Sequence, residues 1–165
     1  MSKRVLTFIF CAAIFLSACD EADERVYTNP RFASDPEASP FSGAVRADDT
    51  LYVSGMLGLE NGQLPEDPAD EARNLLNSIQ ATVNQAGMSM DDLVYVTVYA
   101  SELDNYAVFN AVYRTYFTGA FPARAFIGAG SLLSGARFEM QAIAVRRPSS
   151  RVAPEETAGF PFSFF

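Results

Sequence analysis

Histidine and tryptophan are absent from the 165 residues, lysine occurs once, at Lys3, and the two cysteines are Cys11 and Cys19. These absences remove whole chemistries. Without lysine in the body of the chain there is no Schiff base to a carbonyl substrate or to pyridoxal phosphate. Without histidine there is no Ser-His-Asp or Cys-His nucleophile, and zinc sites built on Cys and His go with it. Basic residues are also few: 12 Lys and Arg stand against 20 Asp and Glu, a net charge of −8, which disfavours a nucleic-acid partner. What remains for chemistry is carboxylates, arginines, hydroxyls, amides and backbone.

The N-terminus is unlike the rest. Met1-Ser-Lys-Arg4 is basic and the apolar run Val5 to Leu16 is too short to span a bilayer, the pattern of an export signal. Leu16-Ser17-Ala18-Cys19 resembles the box read by bacterial lipoprotein signal peptidase, in which the cysteine is acylated and becomes the new N-terminus. The expectation is a signal peptide over 1–18, a lipid on Cys19, and a chain anchored to a bacterial membrane facing the periplasm. Asp20 resembles the signal for inner-membrane retention. Removing 1–18 takes Lys3 and Arg4 with it and leaves ten basic against 20 acidic residues. Cys11 leaves too, so no disulfide within the domain is expected. About 147 residues remain, enough for one domain with a sizeable core.

Residues 19–25 begin a polar tether, within a stretch to residue 40 rich in Asp, Glu, Ala and Pro. Order is expected from Val26. Gly43 to Ala47 and Leu51 to Met56 read as strands around an Asp48-Asp49 hairpin turn, and Glu60-Asn-Gly-Gln63 as another turn. Asp67-Pro68 opens a helix over 68–86, with Ala72, Leu75, Leu76, Ile79, Val83 and Ala86 at helical spacing until Gly87. Leu93 to Ala100 (LVYVTVYA) is dense in β-branched and aromatic residues and reads as a central strand. Asp104 is expected to cap a second helix with Tyr106, Phe109, Tyr113, Tyr116 and Phe117 on one face. Asn110 shares that face, as a link between backbone groups or as a site residue. Ala123 to Gly128 and Arg137 to Val145 complete the order ββαβαββ. This is α+β, one mixed sheet with two helices on one face. The uncovered face has apolar strands, which predicts oligomerisation through it. Residues 148–165, ending Phe-Pro-Phe-Ser-Phe-Phe165, show no helix or strand period and read as a flexible aromatic tail.

Four segments share one register with a known family. Pro40-Phe-Ser-Gly-Ala-Val45, Leu51-Tyr-Val-Ser-Gly55, Phe121-Pro-Ala-Arg124 and Phe138-Glu-Met-Gln-Ala-Ile-Ala-Val-Arg-Arg147 resemble the RidA/YjgF family of enamine/imine deaminases. The resemblance covers residues 26–147. It implies a chorismate-mutase-like fold, a homotrimer with sites between subunits, no metal and no cofactor. It also implies hydrolysis of 2-imino and enamine acids of the 2-aminoacrylate type to 2-oxo acids and ammonia.

By the same resemblance Arg124 grips the substrate carboxylate, a task suited to a planar guanidinium. Glu139 positions or activates water, Ser54 and Gly55 lie beside the ligand, and Asn110 lies near it. Two positions depart from the pattern. Phe41 stands where the deaminases often have a tyrosine, removing a phenol that could order water. Phe126 stands where they often have a cysteine, and its bulk narrows the pocket. These departures, and an address outside the cytoplasm, favour an alternative reading: a module that binds small 2-oxo carboxylates without turnover. The ribonuclease activity attached to some relatives is disfavoured by an acidic chain without histidine.

Overall fold

The structure, a computed structural model, describes residues 25–147. The expected signal peptide, the expected tether up to Glu24 and the expected aromatic tail therefore lie outside the described residues.

Eight regular elements follow one another: β1 (Arg25–Thr28), β2 (Ala44–Ala47), β3 (Thr50–Leu57), α1 (Pro68–Gln85), β4 (Leu93–Ala100), α2 (Tyr106–Tyr113), β5 (Ala123–Gly128) and β6 (Phe138–Val145). The strands form one sheet in the order β1-β2-β3-β6-β4-β5. All neighbouring pairs are antiparallel except β4 with β5, which run parallel across the α2 connection. The expected ββαβαββ order therefore holds with one strand added at its start. β1 pairs with β2 from Arg25↔Ala47 to Thr28↔Ala44. Four residues, three of them exposed, carry too little apolar alternation to announce a strand, and β2 supplies the ladder that makes one.

Helix α1 starts where the sequence predicts. The Asp67 carboxylate accepts the Ala69 N–H at 2.8 Å and Pro68 occupies the first turn, where a missing N–H costs nothing. Its stripe of Ala72, Leu75, Leu76, Ile79 and Val83 is fully buried, each large side chain contributing about 1.5–3 kcal/mol. The second helix is shorter than its periodicity implied. Only Tyr106–Tyr113 is α-helical, between 3₁₀ turns at Leu103–Asn105 and Arg114–Tyr116. Asn105, not Asp104, is the residue before the α-helical turns, and it makes no side-chain cap. Phe117 lies past the last turn in extended backbone, so its ring reaches Tyr113 and Phe121 from the loop.

Both helices share one core with the sheet. Leu51, Val53, Val96, Val98, Phe138, Met140, Ala142 and Ala144 point toward them, around Phe109. In β6 the alternation is regular: Phe138, Met140, Ala142 and Ala144 are buried while Glu139, Gln141, Ile143 and Val145 face the other way, as period two requires. That outer face carries Tyr52, Tyr95 and Ile127, each 43–52% exposed, and a hollow of about 220 Å³ bounded by Tyr52, Tyr95, Gln141 and Ile143.

Candidate functional site

Arg124 sits on the edge strand β5, aligned with Val96 of β4. Val96 is fully buried beneath the helices, so Arg124 faces α2. Its Nη2 donates to Asn110 Oδ1 at 2.7 Å, and its guanidinium lies 4.6 Å from the Tyr113 ring centre, 5.7 Å from Phe126 and 5.8 Å from Tyr106. An arginine inside a strand needs an anion or an edge; β5 supplies the edge, and the guanidinium rests on aromatic faces there. Its Nη1 is buried without a hydrogen-bond partner among the described residues, and so is the Tyr113 hydroxyl. Leaving a charged donor so placed is costly unless something arrives to accept it. A pocket of about 160 Å³ opens over these groups, with Tyr106, Asn110, Tyr113, Arg114, Phe121 and Arg124 in its wall. None of them is acidic.

Asn110 thus links a side chain, not two backbone groups, and holds Arg124 in position. Phe126 packs edge-on against Tyr106 at 4.9 Å and against Phe109 at 5.6 Å. It props the aromatic bed from below and is not part of the pocket wall. Tyr106 and Tyr113, which sequence periodicity marked only as an apolar helix face, prove to be polar wall residues. Their 106-110-113 spacing around Asn110 was the available signal, since three residues so spaced share one helix face. The Tyr106 phenol is held below its ordinary pKa, first by its hydrogen bond with Asn110 and then by the charges of Arg124 and Arg114. Burial pushes the Tyr113 phenol up to about 12, against the opposing charge of Arg124.

Glu139 occupies a different place. It pairs with Leu57 of β3 and Tyr99 of β4, between buried Phe138 and Met140, and so projects from the outer face. Its carboxylate makes no hydrogen bond or ion pair with the described residues. Between Val53 and Met56 the register of β3 shifts, releasing Ser54 and Gly55 from the core face, as bulges do beside functional sites. The Glu139 carboxylate fills the space Gly55 leaves: a Cβ at residue 55 would stand 2.1 Å from Oε1. Ser54 Oγ donates to the Ser42 carbonyl at 2.6 Å, which leaves its lone pairs as its free hydrogen-bonding capacity. Phe41, 56% exposed, lines with Ser54 and Ser42 a separate open hollow of about 630 Å³.

One chain therefore brings Arg124, Asn110 and Phe126 together beneath α2, and Glu139 with Gly55 on the opposite side of the sheet. Ser54 and Phe41 form a third locus.

A buried ion pair sets the start of β6. Glu71, fully buried in the first turn of α1, accepts the Arg137 N–H at 2.7 Å and the Phe138 N–H at 3.0 Å through one oxygen. Its other oxygen accepts from Arg137 Nη1 at 2.8 Å. Arg137 also donates to the carbonyls of Pro65 and Glu66. The pair locks backbone immediately before Glu139. Glu71 was legible in principle, because it continues the apolar stripe of Leu75 and Ile79 at four-residue steps.

The family model for endoribonuclease L-PSP matches residues 32–146. The chain belongs to that family, which is the RidA/YjgF family. It is 38% identical over 112 residues to the mouse (Mus musculus) 2-iminobutanoate/2-iminopropanoate deaminase, covering 66% of this chain and 83% of that one. The solved YjgF gene product of E. coli superposes with a TM-score of 0.63 at 34% identity, over 66% of this chain and 89% of that one. E. coli TdcF with bound serine gives 0.64 at 30% identity, over 67% and 91%. The sheet with two helices on one face is thus the chorismate-mutase-like fold of RidA/YjgF.

Proposed function

We propose that the chain hydrolyses reactive 2-imino and enamine acids to 2-oxo acids and ammonia, as a homotrimer whose sites lie between subunits. The observation that carries the reading is Arg124: a guanidinium with a buried, unpartnered Nη1, in a pocket without an acidic residue. A small carboxylate supplies the missing acceptor in the planar geometry a guanidinium prefers. The deaminase name of the mouse relative supports the same substrate class.

Arg124 and Glu139 project from opposite faces, so one chain cannot apply both to one small substrate. A second copy docked on the half-exposed apolar outer face would set its Arg124 edge against this chain's Glu139. Arg124 then holds the carboxylate, and Glu139 accepts a proton from water as the oxygen adds to the imine carbon. Glu139 passes that proton to the nitrogen, and then carries the adduct's hydroxyl proton to the same nitrogen. When the tetrahedral adduct collapses, the C–N bond breaks, ammonia leaves and the C=O bond forms. Imines hydrolyse unaided, so positioning and one general acid/base meet the demand.

The test generates 2-iminopropionate or 2-iminobutyrate in situ and compares wild type with Arg124→Ala and Glu139→Ala. The reading requires a large loss in both variants. Equal rates in all three overturn it, and binding of 2-oxobutyrate without turnover favours a carboxylate-binding module. Ribonuclease action, named in the family description, is opposed by the charge of −8 and the absence of histidine.

The reading also has the chain exported, acylated on Cys19 and held at a bacterial membrane facing the periplasm, by the inner membrane through Asp20. Three acyl anchors on one trimer exceed the two signals stable attachment needs. Cys19→Ala would move the protein from the membrane to the soluble fraction; unchanged partition refutes the anchor.

A further inference from the structure

The Arg124 pocket carries more positive charge than one carboxylate needs. Arg114 stands in the same wall, its guanidinium 5.6 Å from the centre of the Phe121 ring. Phe121 stacks on Tyr113 at 6.2 Å, and Tyr113 in turn lies under Arg124. The two arginines therefore flank a shared aromatic floor. Arg114 makes no ion pair or hydrogen bond with any described residue, and Arg124 meets only neutral groups, the Asn110 amide and the Tyr106 phenol. Elsewhere in the described chain Arg73, Arg137 and Arg147 pair with carboxylates. In a protein of net charge −8, two guanidiniums facing one opening without an acidic neighbour form a local field for anions. Both charges reach it: each lowers the pKa of the Tyr106 phenol, after the larger effect of Asn110.

We infer that Arg114 is a specificity-determining residue that receives a second carboxylate, so that the preferred substrates are 2-imino acids with an acidic side chain. Arg124 holds the carboxylate next to the imine, and Arg114 holds the distal one across the Tyr113 and Phe121 rings. The inference rests on the deaminase reading for the imine, but its recognition step is measured by binding alone. Arg114 is exposed, so its contact is screened by salt and modest in size. A guanidinium also accepts phosphate, which the experiment separates.

The experiment is calorimetry on the full chain in its native assembly, with 2-oxobutyrate, 2-oxoglutarate and inorganic phosphate as probes at equal ionic strength. Wild type is expected to bind 2-oxoglutarate about five- to tenfold more tightly than 2-oxobutyrate. Arg114→Gln removes that preference, Arg114→Lys keeps part of it, and 0.5 M salt shrinks it to about twofold or less. Equal affinities in wild type overturn the inference. So does an equal loss for both acids in Arg114→Gln, or phosphate binding as tightly as 2-oxoglutarate. Turnover of 2-iminobutyrate is followed in parallel. A dicarboxylate preference without turnover defeats the deaminase reading and leaves the recognition role of Arg114 standing. Turnover with equal affinities does the reverse.

Discussion

Gly55→Ala separates positioning of Glu139 from every other feature of the site. The added methyl carbon would stand 2.1 Å from Glu139 Oε1, 3.1 Å from Cδ and 3.4 Å from Cγ. Ordinary contact needs the oxygen more than about 1 Å farther away. The clash is with the end of a half-buried, flexible side chain, so the fold escapes it by rotating Glu139, at about 0.5–1.5 kcal/mol. For a domain of this size that lowers Tm by a few degrees, roughly 2–6 °C. Activity is less tolerant, because a displacement of about 1 Å in a positioned group costs on the order of 100-fold. The assay is hydrolysis of 2-iminobutyrate generated in situ, beside thermal unfolding. A double-mutant cycle completes it: in a Glu139→Ala background the methyl meets no carboxylate, so Gly55→Ala should cost nothing further. Near-wild-type activity in the single variant, or the same loss with Glu139 absent, refutes the reasoning.

Other consequences follow from single groups. Glu71→Ala strips two backbone N–H groups and Arg137 of a buried acceptor and should cost about 3–5 kcal/mol in urea unfolding; a loss below 1 kcal/mol would contradict the buried pair. Asn110→Ala removes the acceptor that orients Arg124 and should raise KM for the imine about tenfold with kcat changed less. An unchanged KM would show that Arg124 needs no such guide. Tyr113, with its phenol raised to about 12, favours the folded state fully below pH 10. That contribution is lost as pH climbs from 10 to 12, because the unfolded chain ionises there first. Alkaline unfolding should therefore shift upward in Tyr113→Phe, and an identical profile would oppose it.

The strongest elements were readable because their chemistry is local. LVYVTVYA forms β4 over its predicted residues, and Asp67-Pro68 with its apolar stripe forms α1, because alternation, capping and periodicity act within a few residues. β1 was not readable, since it exists through pairing with β2 and not through its own composition. The second helix gives way to a 3₁₀ turn at Arg114–Tyr116, beyond which Phe117 and Phe121 pack on Tyr113, contacts that periodicity does not encode. At the site, family register pointed to Arg124 and Glu139 as candidates, but only the sheet shows that they project from opposite faces. Arg114 and Tyr113 gave no signal beyond helix spacing; their meaning comes from the Phe121 loop folding back across α2.

The central claim is that each site takes Arg124 from one subunit and Glu139 from another. It is tested most directly by mixing the two inactive variants, Arg124→Ala and Glu139→Ala, under conditions that exchange subunits, and measuring imine hydrolysis. A site shared between neighbours predicts recovery of about a quarter of wild-type activity at equal proportions, because half of the subunits carry each intact residue. A mixture as inactive as its components, with exchange verified by mass, would place both residues in one chain's site and contradict the account.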